Sequence, residues 1–207
     1  MHVIDQYLAP FASRRFQAQG EDSSISTLCP SLQPLYQDFN GGYFWNGALL
    51  IRPAQRQKDA PLTIFEWNDV RLWKNQYEDV CKDVTFFAED AFGAQFGIEG
   101  NRIIQFDPET AVFTSVAETL DDWCQELVRD PDFYTGAPVL AAWERKNQPI
   151  KVGQRLVPKQ LFMLGGDFHS DNMVCKSDVE GLSIRSQFWK MTKDLPDGQK
   201  IVFRSKE

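Results

Sequence analysis

Asp167, His169 and Asp171 occupy alternate positions, a spacing that on an extended strand points three metal-ligand types the same way. Gly165-Gly166 before them and Ser170-Asp171-Asn172 at their end are turn chemistry, and a turn scatters the three groups. Both readings stand, with no metal and no cofactor as the expectation. A Ser or Cys nucleophile needs a base, and His2 and His169 are the only histidines. Cys175 follows His169 by six residues, but no third orienting group accompanies them, and GxSxG, P-loop and GxGxxG patterns are absent. The carboxylates of Glu89-Asp90 and Asp107/Glu109 suit glycoside hydrolysis if two of them are held roughly 5 to 9.5 Å apart. Asp107-Pro108-Glu109-Thr110 also reads as a hairpin turn, and Glu89-Asp90 as the polar end of a strand. No catalytic residue is expected. A carbohydrate-active or metal-dependent enzyme remains the enzymatic alternative.

Charge points elsewhere. The 207 residues carry a net −7, yet residues 84–135 alone hold 11 acids and two bases. If those acids share a face, its field attracts a basic partner and repels nucleic acid. The candidate partner-binding residues are Asp90, Glu109, Glu118, Asp121 and Asp122. Tyr43 and Trp45 join them as two rings alternating along a strand, turned either into the core or toward the partner. Trp67, Trp73, Trp123 and Trp143 fall on helical stripes and read as core. Cysteines 29, 81, 124 and 175 lie far apart without CxxC spacing, so reduced, mostly buried thiols and a cytoplasmic location are expected. No apolar run approaches the roughly 20 residues of a membrane span, and the N-terminus lacks a basic segment followed by a long apolar stretch.

The elements that must position these groups come in blocks. Residues 1–29 show no sustained period and read as an extension. Leu32, Leu35, Tyr36 and Phe39 form a helical stripe that Gly41 ends, and a strand runs from Tyr43 to Ile51 with Gly47 as a bulge. Thr63 and Glu66 have capping-box spacing ahead of a helix with Trp67, Val70, Trp73, Tyr77 and Val80 on one side. From Val84 to Phe113, short apolar runs separated by turn residues predict an antiparallel meander. Ser115 and Glu118 open a second boxed helix, burying Val116, Leu120, Trp123, Leu127 and Val128 and leaving Glu118, Asp121, Asp122 and Gln125 solvated. Thr135 and Pro138 suggest another helix start, and LPDG a turn before the strand IVF near residue 200. The fold class is α+β, a single domain with a central, mainly antiparallel sheet flanked by helices.

The ordered series formed by the helix ending at Phe39, Asn40-Gly41-Gly42, the strand to Ile51, the Glu66-Trp67-Asn68 helix with Trp73 and Tyr77, FFAEDAFGAQFGI, RIIQFDPET and the helix with Leu120 and Trp123 resembles the SUKH superfamily. That superfamily groups yeast glucan-synthesis regulators with many bacterial immunity proteins of polymorphic-toxin systems. The resemblance spans roughly residues 30–130 of a domain covering 30–207. It implies an α+β fold without catalytic apparatus. The implied role is binding and neutralising a cognate toxin domain, often a nuclease or deaminase, or acting as a regulatory adaptor on a host protein. It transfers no contact residues, and residues 1–29 and those after Pro131 receive no role from it.

Overall fold

In the computed structural model, which describes residues 6–18, 23–36, 40–196 and 198, seven strands pair antiparallel in chain order. They are β1 (Ala12–Arg15), β2 (Gly42–Phe44), β3 (Leu49–Ile51), β4 (Thr85–Glu89), β5 (Gln95–Glu99), β6 (Arg102–Asp107) and β7 (Val112–Ala117). Short connections dictate this order. Gly100-Asn101 is a two-residue hairpin closed by the Glu99↔Arg102 pair, the turn chemistry that favours tight antiparallel pairing. Between β6 and β7, Asp107 uses one carboxylate oxygen to accept from the Glu109 N–H at 2.8 Å and the other to accept from the Thr110 hydroxyl at 2.7 Å. A second, two-stranded sheet pairs β8 (Gln154–Pro158) with β9 (Met173–Ser177).

The helices are α1 (Ser23–Leu28), α2 (Gln33–Tyr36), α3 (Ile64–Trp67), α4 (Leu120–Arg129), α5 (Pro131–Thr135), α6 (Ala137–Glu144) and α7 (Asp178–Thr192). Strand alternation sends side chains to both faces of the large sheet, so each face needs a helical cover. Phe87, Phe96, Ile98 and Ile103 pack with Trp123 and Leu127 of α4 and with Ile25, Leu32 and Leu35 of the N-terminal helices. Phe86, Ile104 and Phe106 pack with Trp67, Trp73, Tyr77 and, from α7, Leu182 and Trp189. The result is one α+β domain with helices on both sides of an antiparallel sheet. Among the described residues, no helix is long and apolar enough to cross a membrane.

Several elements depart from the sequence reading. Residues 1–29 are more than an extension, since β1 pairs with β2 and Leu8, Phe16 and Ile25 are buried. The strand expected from Tyr43 to Ile51 is a hairpin. Trp45 and Asn46 adopt positive φ and Gly47 completes the turn, so the apolar run folds back on itself. The Thr63/Glu66 capping box forms, but its helix stops at Trp67, leaving Val70 and Val80 exposed. Asn68 explains the stop: its side chain donates to the Phe86 carbonyl and accepts from the Phe86 N–H, tying the helix end to β4. Ser115 and Val116 lie within β7, Thr119 caps α4 instead by accepting from the Asp122 N–H at 3.1 Å, and Val128 at the end of the expected stripe is exposed. Phe39 and the strand expected at residues 201–203 lie outside the described residues.

The C-terminal unit is joined to the sheet by buried charge. Arg52, which follows β3, places Nη2 2.9 Å from Glu89 Oε2 and 3.1 Å from Asp178 Oδ2, while Arg155 Nε lies 2.9 Å from Glu89 Oε1. Gln95 donates to Glu89 at 2.9 Å and accepts from the Trp67 indole at 2.8 Å, and the Arg52 guanidinium stacks 3.2 Å from the Trp67 ring centre. Burial pushes the Glu89 carboxyl up, but the two arginines and Gln95 outweigh it and hold it below its ordinary value. Removing one member leaves a buried charge without its partner, and that is costly. Glu89→Ala is expected to lower unfolding free energy by about 3–5 kcal/mol in urea titration. Glu99→Ala, which breaks the exposed pair with Arg102, is expected to cost under about 1 kcal/mol. Similar losses for the two variants would contradict this account.

Candidate functional site

Of the 11 acids between residues 84 and 135, Glu89, Asp90 and Glu109 are buried, Glu126 is half-buried, and Glu99, Asp107, Glu118, Asp121, Asp122, Asp130 and Asp132 are exposed. Asp90 and Glu109 therefore do not sit on the outer surface, as the charge count had suggested. Backbone donors draw them inward. Asp90 Oδ1 accepts from the N–H groups of Phe92 and Ala94 at 2.9 and 2.8 Å, closing the β4–β5 turn. Glu109 Oε2 accepts from the Met163 N–H at 2.9 Å, tethering residues 161–168 to the β6–β7 hairpin.

These two carboxylates meet at a cleft of about 540 Å³, within the usual range of ligand pockets. One wall is the sheet, where Gln105 and Thr114 are paired neighbours on β6 and β7. Phe133 of α5 and Pro138 and Val139 of α6 form another, and Phe162 and Phe168 a third. Phe162 and Phe168 stack with centres 3.7 Å apart, and Phe92 meets both edge-on. Gly136 links α5 to α6 at φ +69°, and a side chain there would run into the Phe92 ring. Arg185 of α7 completes the lining. Its Nη2 donates to the carbonyls of Phe92 and Leu156 at 2.5 and 3.3 Å, and its Nε lies 3.9 Å from Glu109 Oε1.

Acidic groups dominate the cleft, where Asp90, Asp107, Glu109 and Asp132 face a single guanidinium, although burial weakens the charge of two of them. Burial raises Asp90 to about 7 against the opposing pull of its two backbone donors and Arg185. Glu109 is also raised by burial, opposed by the Met163 N–H and Arg185. Among the described residues, Glu109 Oε1 has no hydrogen-bond partner.

The remaining candidates lie apart from one another. Tyr43 is half-buried on β2, with the Arg155 guanidinium 5.8 Å from its ring centre. Trp45 turns away within the hairpin and stacks on Phe11 at 4.8 Å, so the expected pair of rings along one strand does not form. Residues 170–172 are a 3-10 turn in which Asp171 pairs with Lys146 at 2.7 Å and lies 3.6 Å from His169, a geometry that gathers no three ligands. No group of three potential metal-ligating side chains occurs among the described residues. Cys29, Cys81 and Cys124 are buried free thiols, and burial pushes Cys81 up to about 12. Phe133, Phe168 and Arg185 were missed from sequence. Arg185 had a usable signal, because Ser177 and Glu180 carry capping-box spacing and the Ser177 hydroxyl does accept from the Glu180 N–H.

No family model and no curated protein matches the chain. Among solved structures, the crystal structure of Atu4351 from Agrobacterium tumefaciens is similar, with a TM-score of 0.52 at 10% sequence identity over 89% of this chain and 86% of that one. This likeness shows a shared fold.

Two substitutions test the geometry. A raised carboxyl contributes stability that is full below its ordinary value of about 4 and is lost as pH climbs toward the folded value. Asp90→Asn is therefore expected to gain stability relative to the parent between pH about 4 and the folded value of about 7, then level off, in urea midpoints across pH. Parallel profiles would refute the raised value. Gly136→Ala is expected to cost about 1–3 kcal/mol and to shift the Phe92 ring resonances, because both the backbone and the cleft must move.

Proposed function

We propose that this chain is a non-catalytic protein-binding module of the immunity type, a cytoplasmic protein that binds and neutralises a basic toxin domain such as a nuclease or deaminase. The observation that carries the reading is a set of exposed carboxylates without cationic partners. Within residues 84–135, Arg102 pairs with Glu99 and Arg129 with Glu126. Glu118, Asp121, Asp122, Asp130 and Asp132 then have no basic side chain bonded to them among the described residues. Local structure accounts for part of this set: Asp121 and Asp122 sit in the first turn of α4 and Asp130 caps α5. Among the described residues, Glu118, Asp121 and Asp132 make no side-chain hydrogen bond, which leaves their charge available to a partner. The SUKH resemblance supports the same reading, and so does the engagement of the cleft carboxylates by backbone donors.

A second reading is favoured by one feature, the two buried carboxylates sharing a cleft, which is where acid/base chemistry would be placed. Turnover of a glycoside or ester panel that Asp90→Asn abolishes would select it.

The binding reading is tested with the toxin domain encoded beside this chain, by co-expression for protection and by size-exclusion chromatography for the complex. Glu118→Lys with Asp121→Lys is expected to retain the fold and to slow association about tenfold at low salt, with the difference shrinking as salt rises. Failure to protect cells, together with no complex, would overturn it.

A further inference from the structure

Phe133 and Phe168 are the most exposed large hydrophobic side chains among the described residues, at 72% and 65%, and both line the same cleft. Exposed rings converging on one concavity mark a recognition site more strongly than scattered ones do. We propose that this cleft receives a cationic side chain, a guanidinium or ammonium, presented by the basic protein partner. The inference rests on the protein-binding reading and names the anchor of that interaction.

Three observations converge on a cation. Even with Asp90 counted as half charged at neutral pH, the acids of the lining outnumber its one guanidinium, so an anion would be repelled. Glu109 is 2% exposed, and its Oε1 lacks a hydrogen bond, with Arg185 Nε held off at 3.9 Å. A neutral apolar ligand would leave that oxygen unpaired, whereas an N–H donor satisfies it. The stacked Phe162–Phe168 pair, with Phe92 edge-on, supplies the aromatic surface on which cations rest.

The size of the cleft selects the source. A space of about 540 Å³ is much larger than one guanidinium, and most of its remaining lining is Phe, Pro, Val and Ala. Covering that apolar remainder takes the residues on either side of the cation, which a polypeptide loop brings with it and a small amine does not.

The test uses isotope-labelled full-length chain and two probes, acetyl-Gly-Arg-Gly-amide and the same peptide with neutral citrulline for arginine. Saturable amide shifts at Phe92, Ala94 and Met163, whose N–H groups bind the cleft carboxylates, are expected with the arginine peptide and about tenfold weaker with citrulline. Phe168→Ala, at an exposed ring, and Asp132→Asn should each weaken the arginine peptide several-fold without unfolding the chain. No saturable shift, or equal binding of both peptides, overturns the proposal. Benzylguanidine binding more than about tenfold tighter than the peptide overturns the polypeptide source. In the toxin assay, Phe133→Ala with Phe168→Ala should accelerate dissociation at least about tenfold. Unchanged toxin affinity in that variant sinks the cleft proposal while leaving the immunity reading intact. Arginine-peptide binding at the cleft without any toxin complex supports the cleft chemistry and sinks the immunity reading.

Discussion

Two guanidinium groups and two carboxylates withdrawn from water must neutralise one another in place, and this constraint fixes the rest of the molecule. Glu89 belongs to the large sheet, Arg52 follows its third strand, Arg155 belongs to β8 and Asp178 opens α7, so the meeting of the four charges ties these elements to one another. A hydrophobic joint of the same size tolerates sliding and repacking, whereas misplacing a buried charge by a few ångströms leaves it unsatisfied. The position of α7 then sets Arg185, and Arg185 grips the Phe92 and Leu156 carbonyls on either side of the joint. The cleft inherits its shape from this arrangement.

The same physics sorts the acids. A carboxylate enters the interior where backbone N–H groups or arginines wait for it, as they do for Glu89, Asp90 and Glu109. Glu118 and Asp121 meet no such donors among the described residues and stay in water. One stretch of sequence thus supplies both the internal scaffold and an external field, although its charge count alone does not distinguish them.

The antiparallel meander was legible because hydrophobic alternation and turn residues act within a few positions of one another, as at Gly100-Asn101 and Asp107. The α+β class and the core positions of Trp67 and Trp123 followed from local patterns, whereas Trp73 is buried without the helix its stripe predicted and Trp143 is only half-buried. What was not legible depends on distant partners. The run from Tyr43 to Ile51 folds back because Trp45 and Asn46 take positive φ, which their side chains do not announce. The helix after Thr63 stops where Asn68 binds β4, a partner 18 positions away. The cleft unites residues from the sheet, α5, α6, α7 and residues 161–168, and no local spacing encodes that meeting. Arg185 in particular looks like any helix arginine until its partners 29 and 93 positions away are known.

The pairing of Arg52 with Asp178 spans 126 positions. During synthesis the meander can pair as soon as residue 117 has left the ribosome, whereas the cleft wall formed by Phe162, Phe168 and Arg185 cannot exist until residue 185 has emerged. A nascent molecule therefore passes through a period in which the sheet is paired while Arg52 and Glu89 still await Asp178 and Arg155 and the cleft lacks one wall.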